Sequence, residues 1–331
     1  MPRQRAFRLV LAVIGLMLLA GVPALLAPWY GWGLTGQGGA SGDDVDLVVP
    51  RGATLSAVAH DMEQAQLVSS QRHFRLLARA LGEARPVQAG RYRLRPGAPW
   101  KTYLDMLQQG RVVRQMLTIS EGLPSVLVAE KLAAEPRLTG PVPVPPEGSV
   151  LPQTYDFTEG EPRVAVLARM QAAMDRTLAE LWPTRTARAA VKTPQEALIL
   201  ASIVEKETGK PSERRTIAGV YSNRLRIGMK LDADPTVIYP LTRGKPLGRR
   251  ILRSELQADT GYNTYARPGL PAGPIANPGR DSIAAVLDPA ETEALFFVAD
   301  GSGGHVFAAT LAEHNANVRR WYALRRSRGE M

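Results

Sequence analysis

The chain of 331 residues contains no cysteine. Disulfides and thiolate metal sites are therefore excluded, and redox chemistry gives no compartment signal. Histidine is scarce, with four residues. His305 and His314 stand at no metal-ligand spacing from other donors, so both read as structural, and no metal or other cofactor is called for. No nucleic-acid motif of recognisable spacing is present either. This holds although 41 Lys and Arg against 31 Asp and Glu leave a net charge of +10. The excess is spread along the chain, and a charge of this kind suits anionic lipid headgroups or an acidic polymer. Beyond residue 32 no stretch is apolar enough to span a membrane.

One such stretch does stand at the start. Arg3, Arg5 and Arg8 precede an uncharged run from Leu9 to Trp32. As a helix, 24 residues reach about 36 Å, enough for the hydrocarbon core. Trp29, Tyr30 and Trp32 fit an aromatic belt at the far interface, and no Lys or Arg follows until Arg51. The positive-inside rule then leaves the amino terminus in the cytoplasm and the remainder outside. A cleaved signal peptide is the alternative, but the run is long and no A-x-A site is evident. The expectation is a single-pass inner-membrane protein: cytoplasmic tip and anchor over residues 1–33, a Gly/Ser linker over 34–44, and the rest periplasmic.

Residues 45–115 carry the order strand, helix, helix, strand. Asp46–Pro50 and Val87–Arg95 are strand-like, Thr54 caps a helix over 55–66, and Ser69 or Ser70 caps another over 71–81. This order, with the phrase Val49-Pro-Arg-Gly-Ala-Thr-Leu55, resembles a LysM module. A spacer role for the unit stands beside glycan binding. A further strand is expected over 114–119, and helices over 125–134, 164–181 and 184–191.

Thr193-Pro-Gln-Glu-Ala-Leu-Ile-Leu-Ala-Ser-Ile-Val-Glu-Lys-Glu-Thr-Gly209 organises the remainder. Thr193 is a good N-cap, Pro194 suits the first helical position, and Glu196 completes a capping box. Gly209 is placed as a left-handed stop. Leu198 to Val204 is apolar on almost every face, which predicts a covered helix. Glu205 follows on the side of Leu198, Ala201 and Ser202, and Glu207 on the side of Glu196, Leu200 and Ile203. The Glu196 side has the exposed capping end, so Glu207 is expected to be the more solvated. A carboxyl held against apolar surface resists ionisation, as a general acid requires. The alternative is a helix-end ion pair with Lys206, Lys210 or Arg214.

Ordered phrases follow: Asn223-Arg-Leu-Arg-Ile-Gly-Met229, Asp234-Pro-Thr-Val-Ile-Tyr239 (strand-like beyond Thr236), Tyr262-Asn-Thr-Tyr265, Gly269-Leu-Pro271 and Gly273-Pro-Ile-Ala-Asn-Pro-Gly279. With Ala201-Ser-Ile-Val-Glu-Lys-Glu207 and the upstream Glu147-Gly … Leu151-Pro-Gln-Thr-Tyr155, they make the chain resemble the MltG, or YceG-like, family of endolytic murein transglycosylases from about Val45 onward. Gln153 departs from the Asp often found there.

The resemblance implies an α+β fold with a mixed catalytic domain over 116–331. It implies cleavage of the β-1,4 bond between N-acetylmuramic acid and N-acetylglucosamine of nascent peptidoglycan, leaving a 1,6-anhydro end and terminating strand growth. The muramic C6 hydroxyl is the nucleophile, so one carboxyl suffices, first as acid and then as base. Ordinary glycosidases need two. The resemblance is taken to place that carboxyl at Glu205, with Glu207 and Ser202 supporting it. Tyr262, Asn263, Thr264 and Tyr265 offer hydroxyls, an amide and aromatic faces for a sugar, with Asp234, Thr236 and Asn277 as further substrate-binding candidates or as loop-holding residues. The basic stretch from Arg214 to Arg253 suits carboxylate-bearing stem peptides or is a solvated face. The partners implied are glycan strands and membrane-bound peptidoglycan synthases. Two rivals remain: a lysozyme-type muramidase using Asp232 or Asp234 as second carboxylate, and a non-catalytic glycan-binding scaffold.

Overall fold

The computed structural model describes residues 20–32, 43–207 and 209–330. It is α+β, and the chain divides into two compact units. The first holds the described residues up to Gln115 together with Thr158–Gly160, and the second holds the rest. The sequence pattern gave no sign that residues 158–160 join the first unit.

In the first unit, residues 20–30 form helix α1. Strand β1 (Val45–Val49) pairs antiparallel with β2 (Gly90–Leu94), Val45 opposite Leu94 and Val49 opposite Gly90. Between them lie α2 (Leu55–Gln64) and α3 (Gln71–Leu81). The Thr54 hydroxyl caps α2 by accepting from Ala57 N–H, and the Ser70 hydroxyl caps α3 by accepting from His73 N–H. Helix α4 (Trp100–Gln109) stops at Gly110, whose φ of +64° is left-handed. The order βααβ is thus present. Leu47, Val49, Tyr92 and Leu94 alternate inward from the strands to meet Phe74, Trp100 and Leu107.

The membrane span expected over residues 9–32 starts outside the described residues, and the expected linker over 34–44 lies almost entirely outside them. Among the described residues no helix is long and apolar enough to cross a membrane. Trp29 corrects the expected aromatic belt. It is 1% exposed and sits in the core of the first unit, 6.4 Å from the Phe74 ring, while Tyr30 and Trp32 are exposed and stack on each other. Burying its ring against apolar neighbours gains more than an interfacial position would.

The second unit is built round α7 (Pro194–Glu207). Leu200, Ala201, Ile203 and Val204 are fully buried, as the all-round apolar pattern required. Helices α8 (Arg214–Arg226), α9 (Asp234–Thr242) and α11 (Arg280–Leu287) pack on it. Helices α5 (Ser125–Ala134), α6 (Arg163–Leu181), the short α10 (Arg253–Gln257) and the C-terminal α12 (Leu311–Ser327) complete the helical set. Two small sheets accompany them: β3 (Gln115–Thr118) with β4 (Thr154–Phe157), and the antiparallel pair β5 (Phe296–Ala299) and β6 (His305–Ala308).

Four local expectations differ from what is observed. The segment after Asp234 is helical, not a strand: Asp234 and Pro235 open a helical turn, and the Thr236 hydroxyl donates back to Ala233 O. Proline in the first turn outweighs the β-branched run behind it. No helix spans 184–191. Gly209 is not left-handed, and the chain leaves α7 into a 3-10 turn, Pro211–Glu213. The Thr193 hydroxyl does cap Glu196 N–H, but the Glu196 carboxylate closes on Lys192 N–H, one residue earlier than a regular box.

Candidate active site

Two glutamates two residues apart near the end of α7 project about 200° apart and meet different surroundings. The Glu205 side chain is 6% exposed. Its Oε2 accepts the N–H of Gly279, the N-cap of α11, at 2.9 Å, and its Oε1 lies 3.8 Å from the Arg214 guanidinium. Arg214 also stands 3.4 Å from Glu121 and 3.4 Å from Asp281. Burial, and then the charge of Glu205, push the Glu121 carboxyl up, against the pull of Arg214. This group fastens α7 to the starts of α8 and α11, an anion at a helix N-terminus being favourable.

Glu207 instead faces a cleft of about 440 Å³. The Tyr221 hydroxyl hydrogen-bonds its carboxyl, and Asp232, Asp234, Tyr265 and Arg224 share the lining. Burial pushes the Glu207 pKa up to about 7, and the nearby charge of Asp234 adds to the rise; Tyr221 and Arg224 only moderate it. The expectation that Glu207 would be the solvated one of the pair is therefore corrected. Its helical face is covered by the second unit's own core, with Leu200 and Ile203 fully buried. Tyr221 is fully enclosed, and burial followed by the charge of Glu207 holds its hydroxyl protonated far above the usual phenol range, so it donates.

The rest of the cleft is firmly held. The Tyr265 hydroxyl donates to Asp234 Oδ1 at 2.7 Å. Arg224 is committed to the carbonyls of Leu295 (2.6 Å) and Leu231 (2.7 Å) and lies 3.5 Å from Asp232 Oδ2. Asp232 has φ +50°, a left-handed conformation that a non-glycine residue adopts at a cost. Burial raises its carboxyl. A second cavity of about 490 Å³ is lined by Leu123, Leu127, Ile238 and Ile275, with Lys206 and Lys245 beside them.

Of the residues singled out in the sequence, Glu207, Asp234 and Tyr265 meet in the Glu207 cleft. The others hold the scaffold. Asn263, 3% exposed, donates to the carbonyls of Glu255, Leu256 and Ala258. Thr264 and Thr236 are buried and bonded to each other at 2.9 Å, and Thr264 also caps Ala233 N–H. Asn277 is fully buried: its side chain donates to Leu123 O and Ser125 Oγ and accepts from Val150 N–H. Ser202 bridges Ile199 O and Ile275 N–H inside the core. Tyr262 packs its ring 4.9 Å from Tyr239. Sequence reasoning missed Tyr221 and Arg224, although both lie on α8 at a spacing of three, one helical face.

A family model described as the YceG-like family matches residues 47–320. The chain belongs to the YceG-like family. A relative from Bacillus subtilis strain 168, named endolytic murein transglycosylase, is 28% identical over 82% of this chain and 83% of its own length. A Streptococcus pneumoniae relative of the same name is 30% identical over 83% of this chain and 58% of its own length. A crystal structure of a putative YceG-like protein of Listeria monocytogenes is 26% identical with a TM-score of 0.52, covering 83% of this chain and 99% of that one. Among these family residues, the cleft at the end of α7 is the place where a carboxyl of raised pKa meets open space.

Proposed function

We propose that this YceG-like protein is an endolytic murein transglycosylase, a lyase acting on peptidoglycan glycan strands, and that Glu207 is its acid. The observation that carries the reading is the Glu207 carboxyl, poised near pH 7 in a polar cleft and hydrogen-bonded by Tyr221. The sequence-based choice fell on Glu205. Its bonds to Gly279 and Arg214 favour a fastening role instead.

In this mechanism the protonated Glu207 gives its proton to the glycosidic oxygen between the muramic unit and the glucosamine leaving group as the C1–O bond breaks. The resulting carboxylate takes the proton of the muramic C6 hydroxyl while that oxygen bonds C1. The products are a 1,6-anhydro end and a free 4-hydroxyl, with no water consumed. Intramolecular attack replaces a second protein carboxylate. A pKa near 7 suits both roles at neutral pH.

A muramidase reading draws on Asp232 and Asp234, which line the same cleft. Against it, Asp234 is engaged by Tyr265. Mass spectrometry of a digest of uncrosslinked glycan tests the choice: ends lacking one water support the transglycosylase, and water-added ends overturn it. No cleavage at all would favour the scaffold.

The finer setting belongs to the same proposal. The uncharged run before Trp32 would hold the amino terminus in the inner membrane, with the catalytic unit periplasmic beside nascent strands and their membrane-bound synthases. The βααβ unit over residues 45–115 would be a LysM-like spacer or glycan-binding unit.

A further inference from the structure

The C-terminal helix brings to the Glu207 cleft a group that the mechanism does not use. The capping box of Thr310 and Glu313 pins the first turn of α12, and His314 lies directly behind it, its N–H bonded to Thr310 O. The His314 ring stacks on Phe296 at 5.2 Å and 25°, and both side chains line the cleft with Glu207. Its Nδ1 is buried with no hydrogen-bond partner among the described residues. A buried polar atom left unpaired is destabilising, and such atoms in native proteins call for an explanation. Burial, and then the Arg224 charge, lower the His314 pKa, so the ring meets the cleft neutral, able to donate at one nitrogen and accept at the other. Phe296 and the imidazole together present a flat apolar surface with polar nitrogens. This suits a pyranose, which has an apolar face and a polar rim.

We propose that His314 is a substrate-binding residue of this cleft: its ring packs on an amino-sugar unit of the glycan, and a ring nitrogen pairs with a hydroxyl or acetamido group of that unit. A turn about the soft Cβ–ring torsion is enough to exchange the sealed nitrogen for the opposite edge. The inference rests on the cleft being the glycan site, but not on which glutamate is the acid.

Three variants of the full chain test it with uncrosslinked glycan strands. His314→Phe keeps the stack and removes both nitrogens, so it should unfold at the wild-type temperature or higher while KM rises about tenfold and kcat changes little. His314→Asn restores a polar group near the Nδ1 position and should regain part of the affinity. Glycan affinity is also measured in Glu207→Gln, with and without His314→Phe, where it should again fall about tenfold. An unchanged KM and affinity in His314→Phe would overturn the proposal, as would a loss that tracks a lowered unfolding temperature. If Glu207→Gln still cleaves but His314→Phe weakens binding, the acid assignment falls and this one stands.

Discussion

Glu205 and Glu207 differ in what they touch, and their titration separates them further. The carboxyl of Glu207 sits at about 7 against an ordinary 4.5. As the acid it must be protonated to act, so kcat/KM should fall along an alkaline limb centred near pH 7, measured as anhydro-product formation against pH. The same shift bears on stability. The folded protein holds a proton that the unfolded chain has lost between pH 4.5 and 7, so stability declines as pH rises through that window and is level above it. The penalty is on the order of 3 kcal/mol. Glu207→Gln removes it, and should unfold at a higher temperature than the parent at pH 8 but not at pH 4. This part of the site was half legible. The motif and its two carboxylates were plain in the sequence. Which of them faces the cleft was not, because that depends on what α8 and α11 bring against each side of α7, and no periodicity within α7 records it.

At the scale of elements, α7 was the most legible, since Thr193, Pro194 and a run of buried apolar residues specify a covered helix locally. Its end was not: Gly209 carried a stop signal that the 3-10 turn at Pro211–Glu213 made unnecessary. The run Thr-Val-Ile-Tyr in α9 has strand propensity, overridden by its first turn and by the Thr236–Thr264 bond. The phrases that carried the family likeness proved largely to be fastenings between elements. Asn277 joins the loop before α11 to Leu123, Ser125 and Val150. Asn277→Ala should therefore cost about 2–3 kcal/mol by leaving buried partners unpaired, read from the denaturant midpoint. Activity per folded molecule should change far less than in a Glu207 variant.

Across the whole molecule, the two units have separate cores with no residue in common. Phe74→Ala, which hollows the first, should destabilise that unit by about 3–5 kcal/mol. In calorimetry it should lower one transition while leaving the signal of the second unit in place. The excess charge is also less free than the sequence suggests. Of the basic residues after α7, Arg214 stands among three carboxylates, Arg215 pairs with Asp288, Lys245 with Glu130, Arg249 with Glu255, and Arg224 turns inward. The first unit's strand–helix–helix–strand order was readable because each cap and strand alternation is local. Trp29 was not, because an aromatic at the end of an apolar run fits a membrane interface and a core equally well. The central claim is that Glu207, and not Glu205, performs the proton transfers. Its most direct test is single-turnover cleavage of uncrosslinked glycan by full-length Glu207→Gln and Glu205→Gln, with folding checked in both. The account predicts that Glu207→Gln loses 10² to 10⁴-fold or more in rate, as removal of a general acid does. Glu205→Gln should keep cleaving, with a lowered unfolding temperature. Anhydro product from Glu207→Gln at the parent rate, or a folded Glu205→Gln that makes none, would contradict it.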